Sequence, residues 1–562
     1  MPGRFRALVF LFRSANFPFD YNPAPEIFLH SKGTGMTRSR RRALALTLLL
    51  SLFTVAPAAR SQRKPAKPKE RADVARFRAR AEALLSEAKA DKGHWGVLLV
   101  DAASGETLYS LNAQKYFTPA SNTKLYTTVA ALALLGPDFR WRTSVESRGT
   151  LDKHGRLRGD LVLVGRGDPN LSNRKFPFDT KVEREGRAEK ILIELAEQIV
   201  ARGVRQIEGH IVGDDSYFPP ERYASGWAID DITFGYGAPV SALTVNDNTL
   251  AVELLPGERE GDPAWFGVEP WAEFYEFVNE VRTAAAGSKP EISVAREPGS
   301  RRVVLRGAIP LDKESQRLTL AVEEPAEFAA ALLKRILESR GVRIYGRATA
   351  QHVPRADPRD APDNNSGAAV VLAEHTSGPL LDGVRLVNKI SQNLHAELLL
   401  RAMGREKRAA GSTEAALEVV QEFFKSIGIA EKDVSSYDGS GLSRRNLVTP
   451  RATVTLLAWA AKQPWFEQFL DTLPVSAQDG TLAERMKDTP AAGRIQAKTG
   501  SLANSNALSG FATSLHGVRV IFSMFGNTHN LRGTDATGVL DSLCIAMVEE
   551  LGAPPPKKKK RR

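Results

Sequence analysis

The stretch FTPASNTKLYTTVAALALLG, residues 117–136, begins like a loop and continues as an apolar helix pattern. Ser121 stands where the apolar run begins, and Lys124 follows three positions later. Residues three apart in a helix share one face and lie one turn apart. Two interpretations follow: the serine hydroxyl caps a helix, or the serine is a nucleophile with a lysine base beside it.

The Ser-x-x-Lys spacing is not specific by itself. The motif occurs four times in the chain, starting at Ser61, Ser86, Ser121 and Ser172. Only Ser121 lies between a predicted strand hairpin (HWGVLLVDAASGETLYSLN) and an apolar helix; the other three lie in a linker, on a polar helix face and in a polar loop. At its ordinary pKa a lysine is a poor general base, because its amine is protonated near neutral pH. Burial lowers that pKa because it disfavours the ammonium.

Two further motifs strengthen the nucleophile interpretation. SQN, at Ser391–Asn393, opens a predicted helix and offers a hydroxyl and a carboxamide two positions apart. KTG, at Lys498–Gly500, occurs once and offers a cation and a hydroxyl to a substrate carboxylate. Gly500 lets another backbone approach closely, and a strand edge can pair with an extended peptide.

The three motifs, in this order, form the set known from penicillin-binding proteins and class A β-lactamases. The chain resembles the D-alanyl-D-alanine carboxypeptidase/endopeptidases of the low-molecular-mass class C penicillin-binding proteins. Further matching segments are GRGDPNLS (165–172), IVGDDSYF (211–218), YGAPVSALTVNDN (236–248) and DGSGLSRRNLVTP (438–450). The resemblance covers about residues 72–552; Gln392 stands where an aspartate is commoner in the family.

The resemblance implies an α+β fold. A transpeptidase-like (β-lactamase-like) domain, an antiparallel sheet flanked by helices, is expected from residues 72–137 and 376–552. Residues 138–375 are expected as a large β-rich insert of one or two domains. Helical periodicity at both ends, around a strand-rich middle, favours the same layering.

The resemblance also implies site roles. Ser121 would be the acylated nucleophile and Lys124 its base, with backbone N–H groups of Ser121 and Ser501 as the oxyanion hole. The other expected residues are Ser391 and Asn393 (proton relay and substrate amide), Lys498 (electrostatics), and Thr499, Gly500 and Ser501 (substrate binding). Asp168, Asp438, Ser440 and Arg444 match motif positions too, but Gly-Asp-Pro and Asp-Gly-Ser-Gly are turn formers, which predicts structural roles. No metal and no cofactor is expected.

The charge distribution argues against nucleic-acid binding. The formal net charge is +12, but the first 70 residues hold 13 Lys/Arg against three Asp/Glu, and the last six residues are all basic. The body between these ends is therefore slightly acidic and offers no basic groove. The tail, 553–562, predicts at most a weak contact with a membrane or another anionic polymer.

The N-terminal region predicts export. From Met36, a basic stretch, an apolar run and the small residues Ala56–Ala58 form a signal-peptide pattern over 36–58. Residues 1–35 precede it and are interpreted as a non-native extension, and 59–71 as a linker. The single cysteine, Cys544, falls in an apolar helix pattern and is expected in the core.

These observations and the resemblance predict an exported serine DD-peptidase, a DD-carboxypeptidase, a DD-endopeptidase or both, that acts on D-Ala-containing peptidoglycan stem peptides in the periplasm or outside the cell. The resemblance also implies that it binds β-lactam antibiotics such as penicillin covalently. A membrane-associated form remains open. The alternatives are a serine β-lactamase or esterase on the same fold, and a non-catalytic cell-wall-binding protein. The intact motifs favour catalysis. The Glu-x-x-Leu-Asn element of class A β-lactamases is missing, because the one Leu-Asn pair, Leu111-Asn112, precedes Ser121 and has Leu108 in the glutamate position.

Overall fold

A computed structural model describes residues 70–87, 90–147, 149–353 and 369–555. The predicted extension 1–35, the signal peptide 36–58, most of the linker and the basic residues from Lys557 onward lie outside the described residues. The described helices are α1 (Ala72–Leu85), α2 (Thr123–Leu134), α3 (Lys190–Ala201), α4 (Pro325–Ser339), α5 (Leu380–Lys389), α6 (Asn393–Arg408), α7 (Thr413–Ser426), α8 (Pro450–Ala460), α9 (Phe466–Thr472) and α10 (Gly533–Glu550).

The described strands are β1 (His94–Asp101), β2 (Thr107–Leu111), β3 (Arg142–Ser147), β4 (Thr150–Leu151), β5 (Arg156–Arg158), β6 (Leu161–Val164), β7 (Asp168–Leu171), β8 (Gln206–Ile207), β9 (Ile211–Asp214), β10 (Leu243–Val245), β11 (Thr249–Leu255), β12 (Trp265–Glu269), β13 (Glu276–Ala284), β14 (Glu291–Ala295), β15 (Arg302–Pro310), β16 (Gln316–Ala321), β17 (Arg343–Ile344), β18 (Ala348–Gln351), β19 (Val370–Thr376), β20 (Val434–Ser435), β21 (Leu447–Val448), β22 (Ile495–Leu502), β23 (Ser505–Thr513) and β24 (Arg519–Asn527).

An antiparallel sheet in the order β2-β1-β24-β23-β22 joins the two ends of the described chain. Its side chains alternate between two cores, as the period of a strand requires. From β1, Val97 and Leu99 enter the core under α1 and α10. Leu98 enters the opposite core, which α2, α6 and α8 cover. A sheet with helices on both faces confirms the predicted α+β class, and Cys544 is fully buried in the α10 core.

The middle of the chain has a hydrophobic core of its own. Its buried members all fall between Val145 and Ala373, and they come from α3, α4 and the strands around them. The central sheet of this region has the order β18-β9-β6-β3-β19. The boundaries at 138 and 375 stay a prediction, which this separate core supports. The described residues, 70–87, 90–147, 149–353 and 369–555, pack together as a single compact unit.

Among the described helices, none combines the length and the apolar character that crossing a bilayer requires.

Candidate active site

Ser121 lies in a 3-10 turn, Ala120–Asn122, immediately before α2. The sequence pattern predicts that Ser121 stands at the start of the apolar helix, whereas the helix begins two residues later, at Thr123. Ala120 has a positive φ of 48°, which turns the chain sharply where an ordinary helix start would continue it. The N-cap residue of α2 is Asn122, so Ser121 is not the cap.

Lys124 occupies the first turn of α2 and is fully buried. Its Nζ lies 2.9 Å from Ser121 Oγ, 2.6 Å from Asn393 Oδ1 and 2.6 Å from the carbonyl oxygen of Ser440. Burial lowers the pKa of Lys124 from its ordinary value to about 7, against the opposing effect of Asp438 and Glu397, which raise it. The amine is therefore available in its neutral form near neutral pH.

A hydrogen bond to Tyr236, in the middle region of the chain, fixes the orientation of the Asn393 side-chain amide. Its Nδ2 donates to the carbonyl oxygen of Tyr236 at 2.7 Å, so its Oδ1 must face Lys124. A neutral lysine amine has two N–H bonds and one lone pair. Asn393 Oδ1 and the Ser440 carbonyl can only accept, and they therefore take both N–H groups. The lone pair of Lys124 Nζ therefore faces the third neighbour, the hydroxyl of Ser121.

Ser391 and Lys498 form the second half of the cluster. Lys498, on β22, donates from Nζ to Ser391 Oγ at 2.9 Å and to the Thr499 carbonyl at 3.0 Å. Ser391 has a positive φ of 62°, unusual for a serine and typical of strained functional turns. Burial, followed by the charge of Lys124, holds the pKa of Lys498 well below its ordinary value. The two buried lysines therefore disfavour being charged at the same time.

The KTG strand, β22, is an edge strand of the sheet. Asn122 Nδ2 donates to the Lys498 carbonyl at 2.9 Å, which ties the Ser121 turn to this strand. A Cβ on Gly500 would lie 2.6 Å from the Pro119 carbonyl oxygen and 3.2 Å from Asn122 N. Only glycine permits this close approach of the two backbones.

Thr499 and Ser501 lie on the same strand, outside the lysine cluster. Thr499 Oγ1 lies 2.8 Å from Thr481 Oγ1, and Ser501 Oγ accepts from Asn506 Nδ2 at 3.2 Å. Ser501 is exposed. Among the described residues, neither hydroxyl hydrogen-bonds to Ser121 or Lys124.

A buried carboxylate that belongs to none of the three sequence motifs supports the carbonyl that binds Lys124. Glu397 accepts from the backbone N–H of Ser440 at 2.8 Å and of Gly439 at 3.1 Å. Burial raises its pKa to about 7, and the charge of Asp438 adds to this. Asp438 accepts from Gly441 N and Ser443 N and so holds the turn together, in keeping with the structural role that its sequence predicts.

A second support missed by the sequence analysis comes from the insert. His395 lies two residues after Asn393 on α6, and its Nε2 is 2.8 Å from Asp247 Oδ1. Asp247 is buried and also pairs with Arg174 and Arg184. These guanidiniums and His395 hold the pKa of Asp247 well below its usual range, although burial opposes them. The only sign of this support in the sequence is that His395 follows the SQN motif by two residues.

Two other motif residues lie apart from the lysine cluster. Arg444 Nη1 pairs with Asp231 of the insert at 2.7 Å. Asp168 is buried in the insert, where burial raises its pKa to about 7, and its Oδ2 lies 3.8 Å from His375 Nε2.

Comparisons with known proteins agree with this geometry. The model of the D-Ala-D-Ala carboxypeptidase 3 (S13) family matches residues 78–545. A D-alanyl-D-alanine carboxypeptidase of Actinomadura sp. (strain R39) is 34% identical over 539 residues, 93% of each chain. A crystal structure of penicillin binding protein 4 from Haemophilus influenzae has a TM-score of 0.71 at 25% identity, over 84% of this chain and 99% of its own.

A second structure of the Haemophilus protein, complexed with a novel β-lactam, has a TM-score of 0.65 at 23% identity, over 83% of this chain and 98% of its own. It shows the shared fold. The family match extends over most of the chain and includes the whole Ser121–Lys498 cluster. The chain belongs to the D-Ala-D-Ala carboxypeptidase 3 (S13) family and is a serine-type carboxypeptidase.

Proposed function

We propose that the chain hydrolyses the D-Ala-D-Ala bond of peptidoglycan stem peptides through an acyl-enzyme on Ser121. The observation that carries this proposal is the buried Lys124 amine, whose two N–H groups have acceptors and whose lone pair faces Ser121 Oγ. A serine hydroxyl becomes a nucleophile when a neutral base lies within hydrogen-bond distance.

In acylation, Lys124 takes the proton of Ser121, and Oγ forms an ester bond with the carbonyl carbon of the penultimate D-alanine. The peptide C–N bond breaks. The Lys124 ammonium then returns this proton, through the Ser391 hydroxyl, to the leaving nitrogen, and the neutral amine is restored. Lys498, whose Nζ lies 2.9 Å from Ser391 Oγ, would hold that hydroxyl in place. Water then cleaves the ester and releases the acid.

Substrate binding is proposed on the exposed side of β22. Thr499 and Ser501 would bind the terminal carboxylate through their hydroxyls, while Gly500 keeps the strand against the Ser121 turn. Backbone N–H groups of Ser121 and Ser501 would stabilise the oxyanion, where such donors each contribute several kcal/mol. Asn393 would hold the substrate amide with its remaining N–H.

The test is D-alanine release from a diacylated peptide ending in D-Ala-D-Ala. Wild-type protein should turn this peptide over, and Ser121→Ala should not. A wild-type protein that releases no D-alanine would refute the proposal and favour a cell-wall-binding role.

The same nucleophile is proposed to bind β-lactams covalently. The Haemophilus penicillin binding protein 4 has been solved with a β-lactam, which supports this extension. An opened penicillin keeps its leaving group tethered and can block the approach of water, so we expect a penicilloyl adduct on Ser121 that lasts minutes or longer. Intact-protein mass spectrometry would follow it. An adduct lost within a second, with catalytic penicillin hydrolysis and no D-alanine release, would establish the β-lactamase alternative instead.

An extracytoplasmic location is proposed with this function, since the substrate lies outside the cytoplasm. The signal-peptide pattern at 36–58 supports export.

A further inference from the structure

The three-stranded sheet β12-β11-β16 packs one face against the core of the middle region and leaves the other face open. Leu250, Val252 and Leu254 of β11 are buried in that core. Successive side chains of a strand alternate, so the residues between them belong to the opposite face. This open face consists of Ala251, Glu253 and Leu255 on β11, their partners Glu269, Gly267 and Trp265 on β12, and Thr319 and Arg317 on β16.

One end of the open face forms part of the wall of a cavity of about 740 Å³. Ser391 and Asn393 line the same cavity, so it lies beside the candidate active site. From Ala251, in the cavity wall, β11 continues to Leu255, about 13 Å further along the strand. The open face is therefore continuous with the catalytic cluster and extends away from it. Its members in the cavity wall are Ala251, Glu269, Arg317 and Thr319.

The other end of the open face presents an aromatic side chain to solvent. Trp265 is 70% exposed and lies directly opposite Leu255, which is 43% exposed. Gly267 follows on the same face, and no atom of the described residues lies within 4 Å of where its Cβ would be. The indole thus stands beside an open, shallow site. Exposed apolar side chains grouped in this way mark ligand-binding surfaces, and tryptophan is a frequent anchor in them.

The charges along the face and the cavity are balanced. Across the strand pair, Glu253 lies directly opposite Arg317. Such a surface selects neither an anion nor a cation. Carboxylates accept hydrogen bonds and guanidiniums donate them, so the surface suits an uncharged ligand whose hydroxyl and amide groups do both. The cavity wall itself holds three carboxylates and three guanidiniums: Glu183, Asp247, Glu269, Arg174, Arg184 and Arg317.

We propose that the open face binds the sugar chain to which peptidoglycan stem peptides are attached, with Trp265 as its stacking platform. A pyranose ring has an apolar C–H side that packs on an indole ring, and its rim of hydroxyl and N-acetyl groups matches Glu253 and Arg317. This inference rests on the proposed function. The sugar lies several residues from the D-Ala-D-Ala bond, so a peptide bound at Ser121 holds its sugar at a distance, where the open face continues from the cavity.

The experiment measures binding of peptide-free glycan, chains of N-acetylglucosamine and N-acetylmuramic acid, by isothermal titration calorimetry on the full chain. Trp265→Ala should raise the Kd about tenfold, because it removes the stacked ring. Arg317→Ala should raise it about fivefold, because it removes hydrogen bonds to the rim. D-alanine release from a soluble peptide should stay unchanged in both variants.

Tyr345→Ala is the matched control. Tyr345 is also an exposed aromatic residue of the middle region, 67% exposed, but it follows β17 in another sheet. It should keep the wild-type Kd. Equal glycan binding by wild type and Trp265→Ala, or no binding by wild type, would overturn the inference. A change of molecular mass in light scattering on Trp265→Ala would assign the face to self-association and overturn it as well.

A second measurement joins the face to catalysis. On stem peptides still attached to glycan, Trp265→Ala should raise KM about tenfold and leave kcat unchanged, because the sugar contact is the same before and during the reaction. An unchanged KM would refute a role of the face in substrate binding.

The two proposals fail differently. If wild type releases D-alanine but its glycan binding does not depend on Trp265, the proposed function stands and the sugar site is refuted. If wild type releases no D-alanine but binds glycan through Trp265, the proposed function is refuted, and the face belongs to a cell-wall-binding protein without catalysis.

Discussion

The decisive perturbation is the removal of the neutral base, by Lys124→Arg and by pH. Burial places the pKa of Lys124 at about 7. Below this pKa the amine is an ammonium with no lone pair for Ser121, so acylation should slow as pH falls. Arginine keeps the positive charge in a larger group but does not deprotonate in proteins.

The magnitude follows from the fraction of neutral amine. At pH 7.5 a lysine with a pKa of about 7 is roughly three-quarters neutral, whereas one at the ordinary value is roughly 0.1% neutral. The burial of Lys124 therefore contributes about three orders of magnitude to the concentration of competent base. Loss of the base altogether, in Lys124→Arg, should slow acylation by at least this factor.

The assay is the second-order rate of labelling by fluorescent penicillin between pH 5.5 and 9. In the wild-type protein the rate should rise about tenfold per pH unit below the pKa of the base and level off above it. Melting temperatures of both proteins control for folding. A flat wild-type profile across this range, or labelling of Lys124→Arg within tenfold of wild type, would refute the assignment of Lys124 as the base.

Four further predictions follow from the same contacts. Glu397→Gln removes a carboxylate that raises the pKa of Lys124, so the midpoint of the labelling profile should move to lower pH; a shift to higher pH would contradict this. Gly500→Ala should slow labelling and cost about 1–3 kcal/mol of stability through its clash with the Pro119 carbonyl, whereas Gly533→Ala, with open space around its Cβ, serves as the control and should do neither. Asp247→Ala leaves two guanidiniums without their shared carboxylate and should lower the free energy of unfolding by about 3–5 kcal/mol in urea titrations; a loss below ~1 kcal/mol would show that the cluster is not needed for stability. Deletion of 557–562 should weaken salt-sensitive binding to anionic vesicles without changing D-alanine release, and equal binding by both forms would leave the tail without this role.

The sequence could predict those site residues whose side chains lie a few positions apart within one segment. Ser121 and Lys124 stand three positions apart, and Ser391 and Asn393 two apart, so a pattern in one segment is enough to find them. The same pattern could not place the start of α2. The apolar run begins at Ser121, whereas a 3-10 turn that starts with the positive φ of Ala120 occupies Ala120–Asn122, and α2 begins only at Thr123.

The supporting contacts were beyond prediction because they join distant segments. The Tyr236 carbonyl that orients Asn393 is a backbone group, and a backbone group leaves no mark in a sequence. Glu397 and His395 were visible only as polar residues on a helix, until the turn at 438–441 and Asp247 were placed against them. Only the fold brings these partners within hydrogen-bond distance.

The central sheet also sets the order in which the site can be completed. β1 pairs along its whole length with β24, from His94 opposite Asn527 to Asp101 opposite Val520. The segment that carries Ser121 is made early, but its sheet neighbours are the last strands of the chain, and contacts of such separation form late in folding. The middle of the chain has a core of its own, whose buried members all lie between Val145 and Ala373. A chain that ends before β24 would carry all three motifs but would lack the strand that pairs with both β1 and β23.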